Sequence, residues 1–414
     1  MMTSNSSPGE DDDVAGTRSQ HVPIRDHSTT FHHGDFDVAV IGGGITGSAT
    51  AYHLARAGVR AIIVDRHDIG TEASGRNAGS LHGQIQHQSF VELGDEWATQ
   101  FLPALNFLAD SLQLWSVLSD ELGVDLEVKT RGGLLLVDNV AQMRHVERKV
   151  KLEQSAGIDS RMLDQGELLE LAPYVSEKII GAEYCPIEGK ANPMLASPAF
   201  TRRAVAQGAK VLTRANVVQF ELERRHIRVV TDQGSVHARQ VVLASGDGLA
   251  RHTELLGFPL PVTSEPVQVS VTEPLVPIVD HLVYFAGKRL TLKQARSGGV
   301  LIGGGWPARL DEISQYPLVN LDSLRDNLDV ALHAVPSLAR ALIVRTWAGI
   351  GNATPDLRPI IGVLPVDPRF LVGLFPHMGL TAGPLMGQVL ADLTLGRPPA
   401  IDLEPFRSDR FSTL

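Results

Sequence analysis

The feature that most constrains this sequence is a glycine-rich turn between a short apolar run and a helical pattern. Residues 36–41 (FDVAVI) predict a buried strand, and GGGITG follows at 42–47. The next residues predict a helix to about Ala57, with Gly58 as its C-cap. A second apolar run at 60–64 (RAIIV) then predicts a parallel strand that is buried on both faces. The segment is therefore predicted to form a βαβ unit.

The glycines of this turn have separate tasks in a dinucleotide site. Gly42 allows a sharp turn out of the strand, Gly44 lets the backbone approach a pyrophosphate, and Gly47 lets the helix pack close to the sheet. Asp65 ends the second strand, where a carboxylate accepts hydrogen bonds from ribose hydroxyls. A glycine turn that only packs is the alternative, and the ordered strand, helix, strand and acid disfavour it. The residues predicted to bind the dinucleotide here are Gly42, Gly44, Ile45, Thr46, Gly47, Asp65 and Arg66.

The turn alone would serve NAD as well as FAD, and the segment that follows Asp65 favours FAD. A nicotinamide domain normally runs on into a further helix, whereas residues 68–88 are mostly small, with Arg76 and Asn77 between Gly75 and Gly79. Small residues let backbone N–H groups reach a large planar ring. The residues of this segment that are predicted to bind the cofactor are Ser74, Arg76, Asn77, Ala78 and Gly79.

Further segments of the chain extend this pattern to a known family. They are GAKVLTRANV at 208–217, VVLASGDG at 241–248, WAGIGNATPDLRPIIGVLP at 347–365 and HMGLTAGPLMGQVLADLTLGR at 377–397. With these segments, about residues 36–411 resemble the D-amino-acid-oxidase-like flavoproteins, which include glycine oxidase, sarcosine oxidase and related amine dehydrogenases. The resemblance implies that FAD is the cofactor. It also implies FAD contacts at Val217 near the adenine, at Ser245 and Gly246, and at Gly379, Leu380 and Thr381.

The last flavin segment also has a physical interpretation of its own. Gly379 and Gly383 allow close backbone approach, and Pro384 is predicted at the first position of a helix. A helix N-terminus that points at the N1–C2=O edge of the flavin would stabilise the anionic reduced ring. Without the N-terminal motif, an ordinary glycine-rich loop would be the better interpretation.

Several positions depart from the family pattern. The resemblance places the cysteine and histidine that bind FAD covalently in some members at Gly349 and near Asn77, so the FAD is predicted to be noncovalent. The arginine that holds the substrate carboxylate in glycine oxidase corresponds to Gly351, and the lysine of the sarcosine oxidase branch corresponds to Leu380 or Thr381. Neither of these carboxylate anchors is present, so either another residue binds the carboxylate or the substrate is not a simple amino acid.

The candidates for contact with the substrate are therefore Arg76, His82, Tyr284 and Arg289. Arg76 has the alternative of pairing only with flavin or backbone, and Arg289 that of a solvated strand residue. Lys293 matches the lysine that the sarcosine oxidase branch places near flavin N5, but an exposed hairpin lysine is the favoured interpretation. The resemblance implies hydride transfer from the carbon that bears the amine. That reaction needs an oriented neutral amine more than a strong protein base.

The order of elements predicts two discontinuous lobes. With the resemblance, the expected fold class is α/β, with a Rossmann-type FAD-binding domain (glutathione-reductase-like) and a discontinuous, mixed-sheet α+β substrate domain. Further predicted elements are helices near 94–122, 141–156, 192–208 and 321–334, a hairpin over 226–245 and a strand-rich segment at 262–305. The predicted boundaries are a disordered tail at 1–34, an FAD-binding lobe with approximate bounds of 35–90, 160–260 and 345–411, and a substrate-binding lobe at 91–159 and 261–344.

Composition excludes some partners. The net charge of −10, with 37 basic and 47 acidic residues, argues against nucleic acid. A single cysteine, Cys185, together with no secretory signal, predicts a cytoplasmic location. Phe370–Ala391 carries no formal charge, but Pro376 and Pro384 indicate a buried loop followed by a helix and not a membrane span. No residue pattern predicts a metal site.

The predicted function is oxidation of the C–N bond of an amino acid or secondary amine by hydride transfer to flavin N5. Oxygen or a partner redox protein would accept the electrons. The alternatives are the FAD subunit of a heteromeric amine, opine or proline-type dehydrogenase, a flavoprotein whose FAD is structural, and an NAD-linked dehydrogenase.

Overall fold

The computed structural model of the protein describes residues 31–411. Its strands, in chain order, are β1 (His32–Ile41), β2 (Ala61–Val64), β3 (Ser80–Leu81), β4 (Lys129–Thr130), β5 (Gly133–Val137), β6 (Arg161–Asp164), β7 (Gly181–Cys185), β8 (Gly189–Lys190), β9 (Lys210–Leu212), β10 (Val217–Leu222), β11 (Ile227–Thr231), β12 (Gly234–Leu243), β13 (Thr263–Pro274), β14 (Leu282–Phe285), β15 (Thr291–Gln294), β16 (Gly299–Pro307), β17 (Arg309–Leu310), β18 (Pro317–Leu318), β19 (Ile343–Ala353), β20 (Ile360–Val363) and β21 (Phe370–Leu374). The α-helices in the same residues are α1 (Ile45–Arg56), α2 (Ala73–Arg76), α3 (His87–Leu122), α4 (Val140–Ser155), α5 (Gln165–Leu171), α6 (Pro193–Ala206), α7 (Leu249–Glu254), α8 (Leu321–Ala334) and α9 (Gly379–Thr394).

The first sheet contains the predicted βαβ unit. Its parallel strands lie in the order β21-β12-β1-β2-β9, and the β10-β11 hairpin pairs antiparallel with β12. Side chains of β1 alternate between two apolar clusters, with Val38 and Val40 on one face and Ala39 and Ile41 on the other. Parallel strands are covered on both faces in this way. Gly42 follows β1 directly, so the glycine turn lies at the carboxyl ends of the strands.

Helix α9 differs in detail from the prediction. It begins at Gly379, so Pro384 lies inside the helix and the prediction that Pro384 occupies the first helical position is wrong. The helix tolerates the proline because only one backbone hydrogen bond, to the carbonyl of Leu380, is lost. The segment Phe370–Ala391, predicted as a buried loop and a helix, also begins with the buried strand β21, because its apolar residues pair with β12.

The second sheet is mixed, as predicted, and runs in the order β19-β13-β16-β15-β14-β5-β7-β6. Helix α8 packs on one face and α4 on the other. Strands β6, β7 and β19 belong to this sheet, whereas the predicted boundaries assign most of their residues to the FAD-binding lobe. Helix α3, assigned to the substrate lobe, packs with α1, α6 and α9 in the cluster beneath the first sheet. Apolar patterning marks a strand or helix but does not identify which layer it joins.

The structure also bears on the predicted N-terminal tail and on the prediction of no membrane span. Strand β1 begins at His32, which pairs with Ser235, so the tail boundary at residue 34 is wrong and residues 1–30 lie outside the described part. Among residues 31–411, α3 is the one helix that is long and apolar enough to cross a membrane. It breaks at Gly94, and its apolar face packs in the protein core.

Candidate active site

A cavity of about 620 Å³ extends from the glycine turn of the first sheet to the second sheet. One end is lined by the carboxyl ends of β1 and β2 and by the start of β10, and the other by residues of β13, β14 and β19. Among residues 31–411, the buried Asn352 Oδ1 and His87 Nδ1 have no hydrogen-bond partner, and both residues line this cavity. Unsatisfied buried polar atoms are costly, so these two indicate a site built to receive a polar ligand.

The dinucleotide end is shaped mainly by backbone. Gly42 has a φ of +109°, and a Cβ there would lie 2.4 Å from the Ala244 carbonyl oxygen. A Cβ at Gly47 would lie 1.9 Å from the Gly42 carbonyl oxygen. The Gly43 N–H donates to Asp65 Oδ2 at 2.5 Å, and burial raises the pKa of Asp65. The turn is therefore closed by the same carboxylate that was predicted to accept hydrogen bonds from a ribose.

Most of the predicted cofactor residues line the cavity. They are Gly42, Gly44, Ile45, Thr46, Asp65, Arg66, Ser74, Arg76, Asn77, Ala78, Val217, Ser245, Gly246, Gly379 and Leu380. Gly47, Gly79 and Thr381 lie behind the wall instead. Gly79 has a φ of +77° beside the Ala191 carbonyl, and the Thr381 hydroxyl accepts a hydrogen bond from the His82 N–H at 2.9 Å. Contact of each residue with the cofactor stays a prediction.

At the other end, His82 and Tyr284 meet over a buried acid that the sequence analysis missed. The Tyr284 hydroxyl lies 2.8 Å from His82 Nδ1 and donates to Glu188 Oε1 at 2.9 Å. Glu188 also accepts from the Gly83 N–H at 2.7 Å and from Gln84 Nε2 at 2.8 Å. Burial raises the pKa of Glu188 to about 7, and burial together with the Lys293 charge lowers the pKa of His82 to about 3. Glu188 sits in CPIEGK, a sequence that carries no motif.

Lys293 is fully buried, so its favoured interpretation as an exposed hairpin lysine is wrong. Its ammonium donates to Ser80 Oγ at 2.5 Å, and burial lowers its pKa to about 7. The reason lies in the sheet, because β15 is an interior strand between β14 and β16 and is covered on both faces.

The two candidate arginines have different surroundings. Arg76 donates to the Thr71 carbonyl and to Glu72, each at 3.1 Å, and its guanidinium lies over the Tyr316 ring at 5.3 Å. Arg289 is exposed at the cavity and donates to the Gly305 carbonyl at 3.1 Å. It lies in the turn before β15 and not within a strand. Arg289 is therefore the cation better placed to meet a ligand that enters from solvent.

A buried ionic network supports the segment that carries His82. Lys149 Nζ donates to Glu153 Oε1 and to Glu183 Oε2, both at 2.6 Å, and to Gln84 Oε1 at 3.1 Å. Glu153 in turn accepts from the Ile85 N–H at 2.8 Å. Helix α4 and strand β7 thus hold the backbone after β3 by buried charges. This network was also missed, because Lys149 and Glu153 have the spacing of an ordinary surface pair on a helix, and Glu183 and Gln84 lie 34 and 65 residues from Lys149.

The prediction that no residues form a metal site stays untested. Among residues 31–411, ligand atoms of His32, Asp35 and His237 lie within 4.8 Å of one another. This group occupies the amino-terminal end of β1, opposite the glycine turn.

A family model described as DAO, FAD dependent oxidoreductase, matches residues 37–393. The chain belongs to this family. FAD is therefore the cofactor, and the NAD-linked alternative is wrong. The residues present fit FAD, because the cavity joins a dinucleotide turn to a region with buried, unpaired polar atoms.

The DAO-family chain has relatives of similar length. It is 27% identical over 399 residues to the sarcosine oxidase subunit beta of an Arthrobacter species, covering 91% of each chain. It is 28% identical to the glycine oxidase of Geobacillus kaustophilus over 386 residues, covering 91% of this chain and 97% of the relative. The crystal structure of glycine oxidase from G. kaustophilus superposes with a TM-score of 0.80 at 25% identity, covering 91% of this chain and 99% of that one. The crystal structure of L-proline dehydrogenase from P. horikoshii also superposes with a TM-score of 0.80 at 25% identity, covering 92% of this chain and 98% of that one. These likenesses support the predicted FAD-binding and mixed-sheet architecture.

Proposed function

We propose that this DAO-family oxidoreductase oxidises the C–N bond of an amino acid or a secondary amine. The observation that carries the proposal is the His82–Tyr284–Glu188 cluster, which supplies proton-accepting groups at the cavity end remote from the glycine turn. The names of glycine oxidase, sarcosine oxidase and L-proline dehydrogenase support it, because glycine, sarcosine and L-proline are all amines.

The bound FAD supplies a hydride acceptor at flavin N5. The protein would bind the pyrophosphate at the glycine turn, where the α1 N-terminus presents free N–H groups and the positive end of its dipole. Gly379 and Leu380, at the N-terminus of α9, would meet the flavin end. FAD is proposed to be noncovalent, since Asn77 and Gly349 stand where some family members have an attaching side chain.

Arg289 is proposed to bind the substrate carboxylate. It is exposed at the cavity, whereas Arg76 is engaged by Glu72 and by the Thr71 carbonyl. A guanidinium presents paired donors that match a carboxylate. Arg289 would thus replace the family anchor that is missing at Gly351.

A second candidate function is the FAD subunit of a heteromeric dehydrogenase. The Arthrobacter relative is named as a subunit, and the present chain covers 91% of it. In that case electrons would pass to a partner redox protein and not to oxygen.

A cytoplasmic location also stays a prediction.

The test is anaerobic reduction of the FAD-loaded protein by D- and L-amino acids, N-methyl amino acids, proline analogues and opines. We expect at least one amine to bleach the flavin bands. No bleaching by any amine would contradict the proposal and favour a structural FAD. Reoxidation by oxygen indicates an oxidase, whereas reoxidation only by an artificial acceptor indicates the heteromeric dehydrogenase.

The carboxylate anchor is tested with Arg289→Met and the neighbouring Lys288→Met as a matched control. We expect Arg289→Met to raise the KM for carboxylated amines about 10-fold or more, because a charge-assisted hydrogen bond contributes about 1.5–3 kcal/mol. The KM for a matching amine without a carboxylate should stay unchanged. Equal effects of the two variants would show that Arg289 does not bind the carboxylate.

A further inference from the structure

Three side chains form a hydrogen-bonded chain from the cavity to a fully buried acid. All three residues line the cavity, and they are hydrogen-bonded in the order His82, Tyr284 and Glu188, of which Glu188 is fully buried. We propose that Glu188 takes up the proton released by the substrate amine, through Tyr284 and His82. This inference rests on the proposed function, since it names how the amine becomes neutral before oxidation.

The protons of the chain can be assigned by counting donors. An ionised Glu188 accepts hydrogen bonds only, so the single Tyr284 proton points to Glu188 Oε1. The Tyr284 oxygen must then accept from His82, which places the His82 proton on Nδ1. His82 Nε2 is left with a lone pair, and within residues 31–411 it has no hydrogen-bond partner. The buried acid therefore prepares a proton acceptor at the cavity surface.

Proton transfer along this chain is balanced. The ammonium N–H bond of the substrate breaks and a proton binds His82 Nε2. The Nδ1 proton passes to the Tyr284 oxygen, and the original Tyr284 proton passes to Glu188 Oε1. The substrate amine is then neutral, Glu188 is a neutral acid, and His82 and Tyr284 have returned to net neutrality. Neither His82 nor Tyr284 has to hold a charge, because each of them gains one proton as it loses another.

The surroundings of Glu188 suit reversible protonation. Three neighbours donate hydrogen bonds to it, and these hold the carboxylate in place. Burial opposes the charge and raises its pKa to about 7, between that of an ordinary carboxyl and that of an amine. The titratable and charged groups around the chain are Lys149 and Glu153 from α4, Glu183 and Cys185 from β7, Lys293 from β15, and His377 before α9.

A purely structural role for Glu188 makes a different prediction. Glu188 also fixes the Gly83 N–H and the Gln84 amide, so its loss affects the segment after β3 whether or not protons move. Tyr284→Phe avoids this problem, because it removes the relay hydroxyl and leaves both of those bonds. Tyr174→Phe is the matched control, because the Tyr174 hydroxyl makes an equal 2.8 Å contact with His281 Nδ1 and Tyr174 does not line the cavity.

The experiment measures the rate of anaerobic flavin reduction in the FAD-loaded protein at saturating amine from pH 6 to 10.5. In the unaltered protein we expect an acid limb near pH 7, where Glu188 becomes protonated and no longer takes up the proton of the amine. In Tyr284→Phe and Glu188→Gln the fall should begin near the pKa of the amine itself, about 10 for an alkylamine. At pH 7.5 both variants should lose at least 10-fold in rate and regain most of it at pH 10.5. Tyr174→Phe should keep the unaltered profile.

Two results would overturn the relay. One is a Tyr284→Phe profile that keeps its acid limb near pH 7, even if the rate is uniformly lower. Another is a change in KM alone. If Glu188→Gln does not fold, the profile of Tyr284→Phe decides. Failure of the proposed function looks different, because then no amine reduces the flavin of the unaltered protein at any pH.

Discussion

The two ends of the cavity are built in different ways. The dinucleotide end is shaped mainly by backbone groups of a short continuous segment. Asp65, 22 residues after Gly43, accepts a hydrogen bond that closes the turn. At the substrate end, the groups are side chains from separate segments of the chain. His82 and Tyr284 are 202 residues apart, and Tyr284 and Glu188 are 96 apart. One end thus depends on local chain geometry, and the other depends on long-range packing of polar groups.

This difference determines how each end responds to change. A backbone site requires the absence of side chains, so it fails when a Cβ is added. A site made of buried charges requires that every member keep its partner, so it fails when one member is removed. The following predictions test the two modes of failure, and the buried-charge end is expected to show the larger effect.

Removing the ammonium of Lys149 is expected to destabilise the protein most. Lys149→Met would leave Glu153 and Glu183 buried without a cation, and breaking such a group costs about 3–5 kcal/mol. The measurement is the midpoint of urea unfolding of the FAD-loaded protein. Lys151→Met is the matched control, because Lys151 is exposed on the same helix. Equal midpoints for the two variants would show that the network does not hold this end together.

Adding one carbon at Gly47 is expected to damage the dinucleotide end. The Cβ of Gly47→Ala would lie 1.9 Å from the Gly42 carbonyl oxygen, which is backbone and cannot move aside easily. We expect a loss of about 3 kcal/mol, as for severe overpacking, together with loss of bound FAD. Gly379→Ala is the contrast, since no atom lies within 4 Å of its Cβ position. It should lower FAD affinity without changing the unfolding midpoint of the FAD-free protein. A stable Gly47→Ala protein that retains FAD would contradict the close-packing argument.

The same contrast explains how much of the molecule the sequence could predict. The βαβ unit, the hairpin over 226–245 and the helix at 321–334 are signalled by local periodicity and glycines, and the structure confirms all three. The sheet to which β6, β7 and β19 belong depends on which neighbouring strands they pair with. The periodicity of a strand does not specify its partners.

Within the site, the limit is physical as well. The glycines of the turn predict the dinucleotide end, because few other residues fit at these positions. Glu188, Lys149 and Lys293 look like surface charges in the sequence, because charged residues are rarely buried without partners and the partners are distant. His82 and Tyr284 were predicted individually, from the flavin loop and the strand-rich lobe, but the acid that joins them could not be.

Lys293 offers the smallest and most specific test of the buried-charge end. Burial lowers its pKa to about 7, whereas an unfolded chain has a lysine pKa near 10.5. Below pH 7, Lys293 is charged in the folded and in the unfolded protein, and burying this charge lowers the stability of the folded protein. Between pH 7 and 10.5 the unfolded chain binds a proton that the folded protein does not, so stability rises with pH. Lys293→Met should therefore gain stability relative to the unaltered protein at pH 6, and the gain should shrink by about 1–2 kcal/mol by pH 9. Urea midpoints at pH 6, 7.5 and 9 measure this, with the exposed Lys288→Met as the control. A difference that stays constant across these pH values would show that Lys293 keeps its proton in the folded protein, and that this end of the cavity tolerates an uncompensated buried charge.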